Sequence, residues 1–309
     1  MKKKKIILVL LLAFLVLPLA GCTQYVKTED KKVVMDNETG ERLVSNMLCK
    51  PTKENIINLY NENNIDLNNV PACNDFKITS NGYEGVWTTI FVKPLAFIII
   101  KLTSLVKNAG LAIIIITLLI RGILYPVTKK TAMQSEMMAK AKPEIDKIEK
   151  KYANKTSQQD QMAHSQEIMM VYKKYGINPM SGCIFALIQI PLFFAFYEAM
   201  NRLPLVFEGT FLGLDLGMSP LNGMYKGNFF YIIVIVLVIV MTYLSFKLNK
   251  TATTEDVNGF SMKMMTNMSI GMIAIASFTI STSIAIYWIC NSGFTVVQNL
   301  LVKRGTKHA

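Results

Sequence analysis

The sequence predicts an all-α membrane protein built on five transmembrane helices, and three observations predict it. Apolar residues make up 51% of the 309 positions and charged residues only 17%, with a positive mean hydropathy of +0.33, a balance unlike that of soluble domains. Five apolar stretches, at 109–128, 178–200, 229–247, 264–281 and 282–302, approach the roughly 20 residues that a helix needs to cross about 30 Å of hydrocarbon. Basic residues are unevenly shared between the connections. Segment 129–177 carries a dense run of lysines from Lys129 to Lys174 and the tail carries Lys303, Arg304 and Lys307, whereas loop 201–228 has only Arg202 and Lys226. That bias places 129–177, 248–263 and the 303–309 tail in the cytoplasm and loop 201–228 outside.

The N-terminus reads as an export signal over 1–21. "MKKKK" supplies a charged region, "IILVLLLAFLVLPL" an apolar core and "LAGC" a small-residue cleavage site ending in Cys22. This resembles a bacterial lipoprotein lipobox, which implies that Cys22 becomes the first mature residue and carries lipid on its sulfur and nitrogen. Each buried methylene of such an anchor contributes about 0.8 kcal/mol. Segment 22–82 is polar and rich in asparagine and lysine, so it is expected to be extracytoplasmic and weakly folded. Cys49 and Cys73 lie there, where a disulfide is chemically permitted and two free thiols are the alternative.

Residues 83–108 are apolar but interrupted by Lys93, Lys101 and Lys107. At about 100° per residue these lysines, Ser104 and Asn108 share one face, which suits an amphipathic helix lying in the membrane interface with Trp87 as anchor. A true span with snorkelling lysines is the alternative. After span one, segment 129–177 has helical apolar spacing through Met133, Met137, Ile145 and Ile148, then through Met162, Ile168, Met169 and Tyr172. This predicts a cytoplasmic helical hairpin broken near Asn154. The polar turn "TISTS" joins the last two spans. An exported N-terminus followed by five spans puts the C-terminus in the cytoplasm, in agreement with the basic bias.

Enzyme chemistry has no visible motif. There is no GxGxxG, P-loop, GxSxG or HExxH, the two histidines (His164, His308) are far apart, and the five cysteines show no CxxC spacing. No metal, cofactor or catalytic residue is expected. What needs explaining is Arg121, a charge inside "TLLIRGILYP". Relative to it Thr117, Tyr125 and Thr128 lie at about −40°, +40° and −20°, so one side of span one is polar. Arginine at the bilayer centre costs roughly 3 kcal/mol on insertion scales, so it must face a partner or water. Glu198 is the only acid inside any span, and it lies at the far end of span two. In span five, with Trp288 at zero, Ser281 and Asn299 fall near +20°, Ser292 near +40° and Thr295 near −20°. Gln189 interrupts span two. Three spans with polar positions suggest a hydrophilic groove walled by protein.

These residues resemble a known family. "TLLIRGILYPVTKKTAMQSEMMAKAKPEIDKIEKKY", "EIMMVYKKYGINPMSGCIFALIQIPLFFAFYEAM", "FLGLDL" and "IYWICNSGFTVVQNLLVKR" are similar to stretches of the YidC-type membrane protein insertases, over roughly residues 85–304. The lipobox resembles that of Gram-positive members. The resemblance implies a five-span core with an interfacial helix and a cytoplasmic hairpin, enclosing a groove closed on the outside. It also implies that Arg121, Gln189 and Trp288 are groove residues, beside Thr117, Tyr125, Ser292 and Thr295. One departure is Phe185, in "GCIF", where the family usually has proline. The implied partners are nascent membrane proteins and the lipid bilayer of a bacterial plasma membrane, with the ribosome and the general secretion translocon as further candidates and no specific small molecule. An anion transporter or channel using Arg121 remains the alternative, although no internal repeat is visible, and so does a chaperone that packs membrane proteins without inserting them.

Overall fold

The computed structural model describes residues 23–155, 157–178, 181–249 and 262–305, with backbone alone at 181–187 and 262–265. The signal at 1–21, Cys22 and the end of the basic tail lie outside the described residues, as does the Phe185 side chain. The chain forms two compact units. One gathers the residues through Ile120, Leu187–Val238 and Ala274–Asn291; the other gathers Arg121–Ala186, Ile239–Ile273 and the residues from Ser292 on.

In the first unit the N-terminal segment is folded, contrary to the expectation from its polar composition. Antiparallel bridges pair Tyr25 with Val44, Lys27 with Val33 and Met35 with Arg42, and helix α1 (Glu54–Glu62) follows. Val26, Val34, Leu43, Met47, Ile56 and Tyr60 form a core with Phe207 of the 201–228 loop. The fully buried Tyr60 hydroxyl donates to the Val44 carbonyl at 3.0 Å. Cys49 and Cys73 are joined by a disulfide. The Glu208 carboxylate accepts from the Thr52 and Lys53 amides at 3.0 and 3.2 Å, at the start of α1, where helix N–H groups lack internal partners. Average composition hid this body because a few apolar residues, if they share one interior, suffice when a disulfide and long-range caps restrain the chain.

Helix α2 (Thr88–Val106) opens with a π-helical turn over Thr88–Val92. Its buried residues Val92, Leu95, Ala96, Ile99 and Ile100 recur at helical spacing. Lys101 and Ser104 are exposed as the amphipathic reading expects, but Lys93 is fully buried. The sequence period could not show why: its ammonium donates to the Ser80 carbonyl at 2.7 Å and pairs with Glu84 at 3.3 Å, partners on the preceding loop. The helix stops at Lys107, which adopts a left-handed conformation (φ 56°) as its C-cap. Asn108 then starts the next helix, its Oδ1 accepting from the Leu111 amide at 2.9 Å.

Helix α3 runs unbroken over Ala109–Tyr152, 44 residues, through Pro126 and Pro143. At 1.5 Å per residue it is about 66 Å long, twice the hydrocarbon thickness. The boundary expected at 128 is therefore a change of solvent and not a change of structure; the polar residues after Pro126 continue the same helix. Helix α4 (Gln158–Lys174) returns beside its end, capped by Ser157, whose hydroxyl accepts from the Asp160 amide at 3.1 Å. Met138, Ala141 and Ile145 meet Ile168, Val171 and Tyr172 there. Of the expected apolar stripe, Met162 and Met169 instead point outward, 60% and 49% exposed.

Helix α5 (Ser181–Asn201) precedes a short helix, α6 (Pro204–Phe207). Strands β1 (Thr210–Phe211) and β2 (Leu214–Asp215) form a hairpin whose two turn residues, Leu212 and Gly213, both have positive φ. Helix α7 (Pro220–Tyr225), α8 (Tyr231–Leu248), α9 (Met262–Ala276) and α10 (Thr282–Gly305) complete the chain. Among the described residues four helices are long and apolar enough to cross a membrane: α2, α3, α8 and α10. Hydropathy places α2 among them, whereas the sequence reading laid it in the interface.

Candidate functional site

Every polar position predicted for the groove falls on a helix, and most are withdrawn from solvent. On α3, Thr117 and Arg121 are 1% and 2% exposed and Tyr125 is half-buried. The Thr117 hydroxyl returns to its own helix, donating to the Ile113 carbonyl at 2.7 Å. Arg121 is engaged by neighbouring groups and is not open to bulk water, so the hydrated groove of the sequence reading is not open at its guanidinium. Gln189 on α5 and Trp288 on α10 are half-buried and likewise engaged. The Trp288 ring stands edge-on to Phe193 with centroids 5.4 Å apart. Ser292 and Thr295 are buried.

In the second unit the polar residues converge. Thr128, Thr131 and Ala132 of α3, Asn249 after α8, and Thr295, Gln298 and Asn299 of α10 line one small cleft. The Thr128 hydroxyl donates to Gln298 Oε1 at 3.1 Å. Two turns further along α3, the Ser135 hydroxyl donates to the Leu248 carbonyl at 3.4 Å, at the end of α8. Asn299 Nδ2 is buried and makes no hydrogen bond with any described group. Sequence reasoning placed Thr295 and Thr128 on stripes but missed Gln298, Asn249 and Thr131, because polar residues near a span end read as solvated. The i, i+3 spacing of Thr131 with Thr128 and of Gln298 with Thr295 was the available signal, and Asn249, on neither helix, had none.

The first unit holds a different constellation that the sequence reading missed. Arg202, counted there as an outer loop charge, is 1% exposed. It donates to Glu198 at 3.0 Å and to the Asn46 carbonyl at 2.6 Å, and it pairs with Glu84. Glu198 also accepts from Trp87 Nε1 at 3.0 Å, so Trp87 is a buried hydrogen-bond donor and not an interfacial anchor. The Glu198 and Arg202 spacing of four was legible as a helical ion pair; the Glu84, Lys93 and Trp87 partners were not. Among the described residues no group of three His, Cys, Asp or Glu side chains could hold a metal.

The fold and the buried polar helix faces define a helical membrane protein that crosses the bilayer several times and keeps hydroxyl, amide and guanidinium groups within its spans. The chain belongs to the family described as 60Kd inner membrane protein, whose model matches residues 101–309. It is 33% identical over 232 residues to the membrane protein insertase YidC of Oceanobacillus iheyensis, covering 74% of this chain and 87% of that one. It is similarly 33% identical to the membrane protein insertase YidC 2 of Bacillus anthracis, covering 71% and 82%, and 32% identical to the membrane protein insertase MisCA of Bacillus subtilis, covering 70% and 79%. A solved structure of an active YidC insertase is similar over 72% of this chain, at 24% identity and a TM-score of 0.48; the chain spans about half of that protein, 48%.

Proposed function

We infer that the protein is an insertase that moves nascent membrane proteins into the lipid bilayer of a bacterial cell. The observation that carries this reading is the 33% identity to an insertase across 87% of that relative's length. The buried polar faces support it. A client's short exported segment, often acidic, would be drawn to Arg121 and the hydroxyls beside it, while its apolar segment passes to lipid. Nothing is hydrolysed. Burial of apolar surface, about 25 cal/mol per Å², drives insertion, and the membrane potential assists acidic segments leaving the cytoplasm.

In this reading five helices, α3, α5, α8, α9 and α10, are the spans and α2 lies at the outer interface. The hairpin of α3 and α4 faces the cytoplasm, and the N-terminal body stands outside, tethered by lipid on Cys22. Met162, Met169 and Met170, exposed on α4, give the hairpin pliable apolar surface for first contact with varied clients. The ribosome and the general secretion translocon are its candidate partners on that side. Against an anion channel stands the insertase identity of the relatives that cover this chain.

Proteoliposomes holding this protein alone test the reading. They are expected to insert a small single-span client to a protease-protected state, and empty vesicles are not. Equal insertion in both overturns the reading.

A further inference from the structure

Among the described residues, those lining the cleft of the second unit carry no formal charge, and that bears on what it can recognise. Its lining offers three threonine hydroxyls and three amides, from Thr128, Thr131, Thr295, Asn249, Gln298 and Asn299. Thr128 and Gln298 satisfy one another across it at 3.1 Å. Asn299 is 8% exposed, and its Nδ2 donor has no hydrogen-bond partner among the described residues. A buried donor left unpaired costs about 1–3 kcal/mol, so a native structure supplies such a donor with an acceptor, from a ligand or from water. The missing partner is an acceptor, and none of the described lining residues carries a charge to select an anion. A main-chain carbonyl of an extended peptide fits: it is neutral, it accepts, and it recurs in every sequence.

The position separates this cleft from Arg121. Thr128 lies seven residues along α3 from Arg121, about 10 Å at helical rise, and Thr295, Gln298 and Asn299 lie beyond Trp288 on α10.

We propose that the Thr128, Gln298 and Asn299 cleft is a backbone-reading subsite, which accepts a main-chain carbonyl of the client's unfolded polar segment through Asn299 Nδ2, whatever that segment's charge. The proposal rests on the insertase reading and deepens it. Two functions are thereby divided within one polar surface. Arg121 discriminates by charge, and the cleft holds any non-helical chain that still lacks hydrogen bonds. An apolar helix, whose carbonyls are internally bonded, has nothing to give Asn299 and passes on.

The test uses the full-length protein in proteoliposomes with two clients sharing one apolar segment, their exported segments being either acidic or built of serine, glycine and asparagine. Each is run on wild type, Asn299→Leu, Asn299→Asp and Arg121→Ala. A photo-crosslinker placed at Ala132, in the cleft lining, reports capture of the exported segment. Asn299→Leu and Asn299→Asp are each expected to lower insertion of both clients several-fold and to abolish the Ala132 crosslink, while Arg121→Ala lowers the acidic client only. Asn299→Asp keeps the side-chain shape and turns the donor into an acceptor, so a loss common to both variants, at unchanged melting temperature, is not a folding defect. The cleft has room for about one water molecule. If a structural water fills it, both variants insert both clients like wild type and no crosslink forms at Ala132, which overturns the subsite and leaves the insertase reading standing. Failure of wild type itself to insert either client overturns that reading and the subsite with it.

Discussion

Two arginines are almost equally buried, Arg202 at 1% and Arg121 at 2% exposure, yet they belong to different units of the chain. Arg202 is surrounded by committed partners: Glu198, Glu84 and the Asn46 carbonyl. Those partners come from α5, from the loop before α2 and from the N-terminal body, so the guanidinium ties three parts of one unit. Arg121 shares its helix face with Thr117, Tyr125 and Thr128, and Glu198, the only acid inside any of the expected spans, is engaged by Arg202 and Trp87. Burial alone therefore does not reveal a charge's purpose. The partners of each charge have to be read beside it: for Arg202 they are two carboxylates and a carbonyl, which hold the structure together, whereas for Arg121 the attraction of a client's acidic segment belongs to the proposed insertase function.

The largest effect expected from this contrast is on Arg202. Removing one partner of a buried ion pair strands the other, at a cost of roughly 3–5 kcal/mol. Arg202→Ala should therefore lower the melting temperature in detergent sharply and release the N-terminal body to protease. An unchanged melting temperature would show that Glu198 and Glu84 find other partners. Next comes the disulfide. Cys49→Ser with Cys73→Ser removes a closure worth typically 2–4 kcal/mol, and its effect should be confined to residues 23–81, read as faster hydrogen exchange there and little change in α8 or α10.

Arg121→Ala should reduce insertion of a client with an acidic exported segment roughly tenfold, equivalent to about 1.4 kcal/mol. Arg121→Lys, which keeps the charge but not the planar fork, should restore most of it. The same variant that fails to insert but also fails to fold would erase the difference between the two arginines.

What the sequence made legible, and what it did not, follows the range of the interactions involved. The apolar run at 229–247 coincides with α8, and that at 282–302 with α10, because length and hydropathy are local properties. The stripe of Thr117, Arg121 and Tyr125 was visible as helical period. Lys93 was misplaced because its partner Glu84 lies off the helix, where period carries no information. That one helix continues past the expected end of span one was not legible, because lysines after Pro126 signal the edge of lipid while leaving the backbone free to remain helical, and an interior proline ordinarily argues for a kink or a break. The folded N-terminal body escaped notice since its contacts, such as Tyr60 with Val44 and Glu208 with Thr52, join residues far apart in sequence.

The smallest effect expected, and the finest comparison, sets the hairpin against the N-terminal body through their carboxylates. Hydrogen bonds from Lys174 and from Lys151 hold Glu144 and Glu167 below the usual carboxylate range. Such groups support the fold only when ionised, so their contribution is present above the ordinary value of about 4.3 and is lost as pH falls through the lowered one. Glu41 is the reverse. Burial, and then the neighbouring Asp36 and Glu208 charges, lift it well above that range, and its Oε2 has no hydrogen-bond partner among the described residues. Its neutral form fits the fold, so its contribution is present below the ordinary value and is lost as pH rises through the raised one. Acidification from neutral should therefore first tighten residues 23–81 without touching the hairpin, and only at lower pH loosen α4 against α3. Hydrogen exchange, corrected for the intrinsic pH dependence of the amides, reads both regions in one sample. Glu41→Gln should flatten the first response and leave the second, and a common trend in both regions would show that net charge, and not these particular carboxylates, governs their stability.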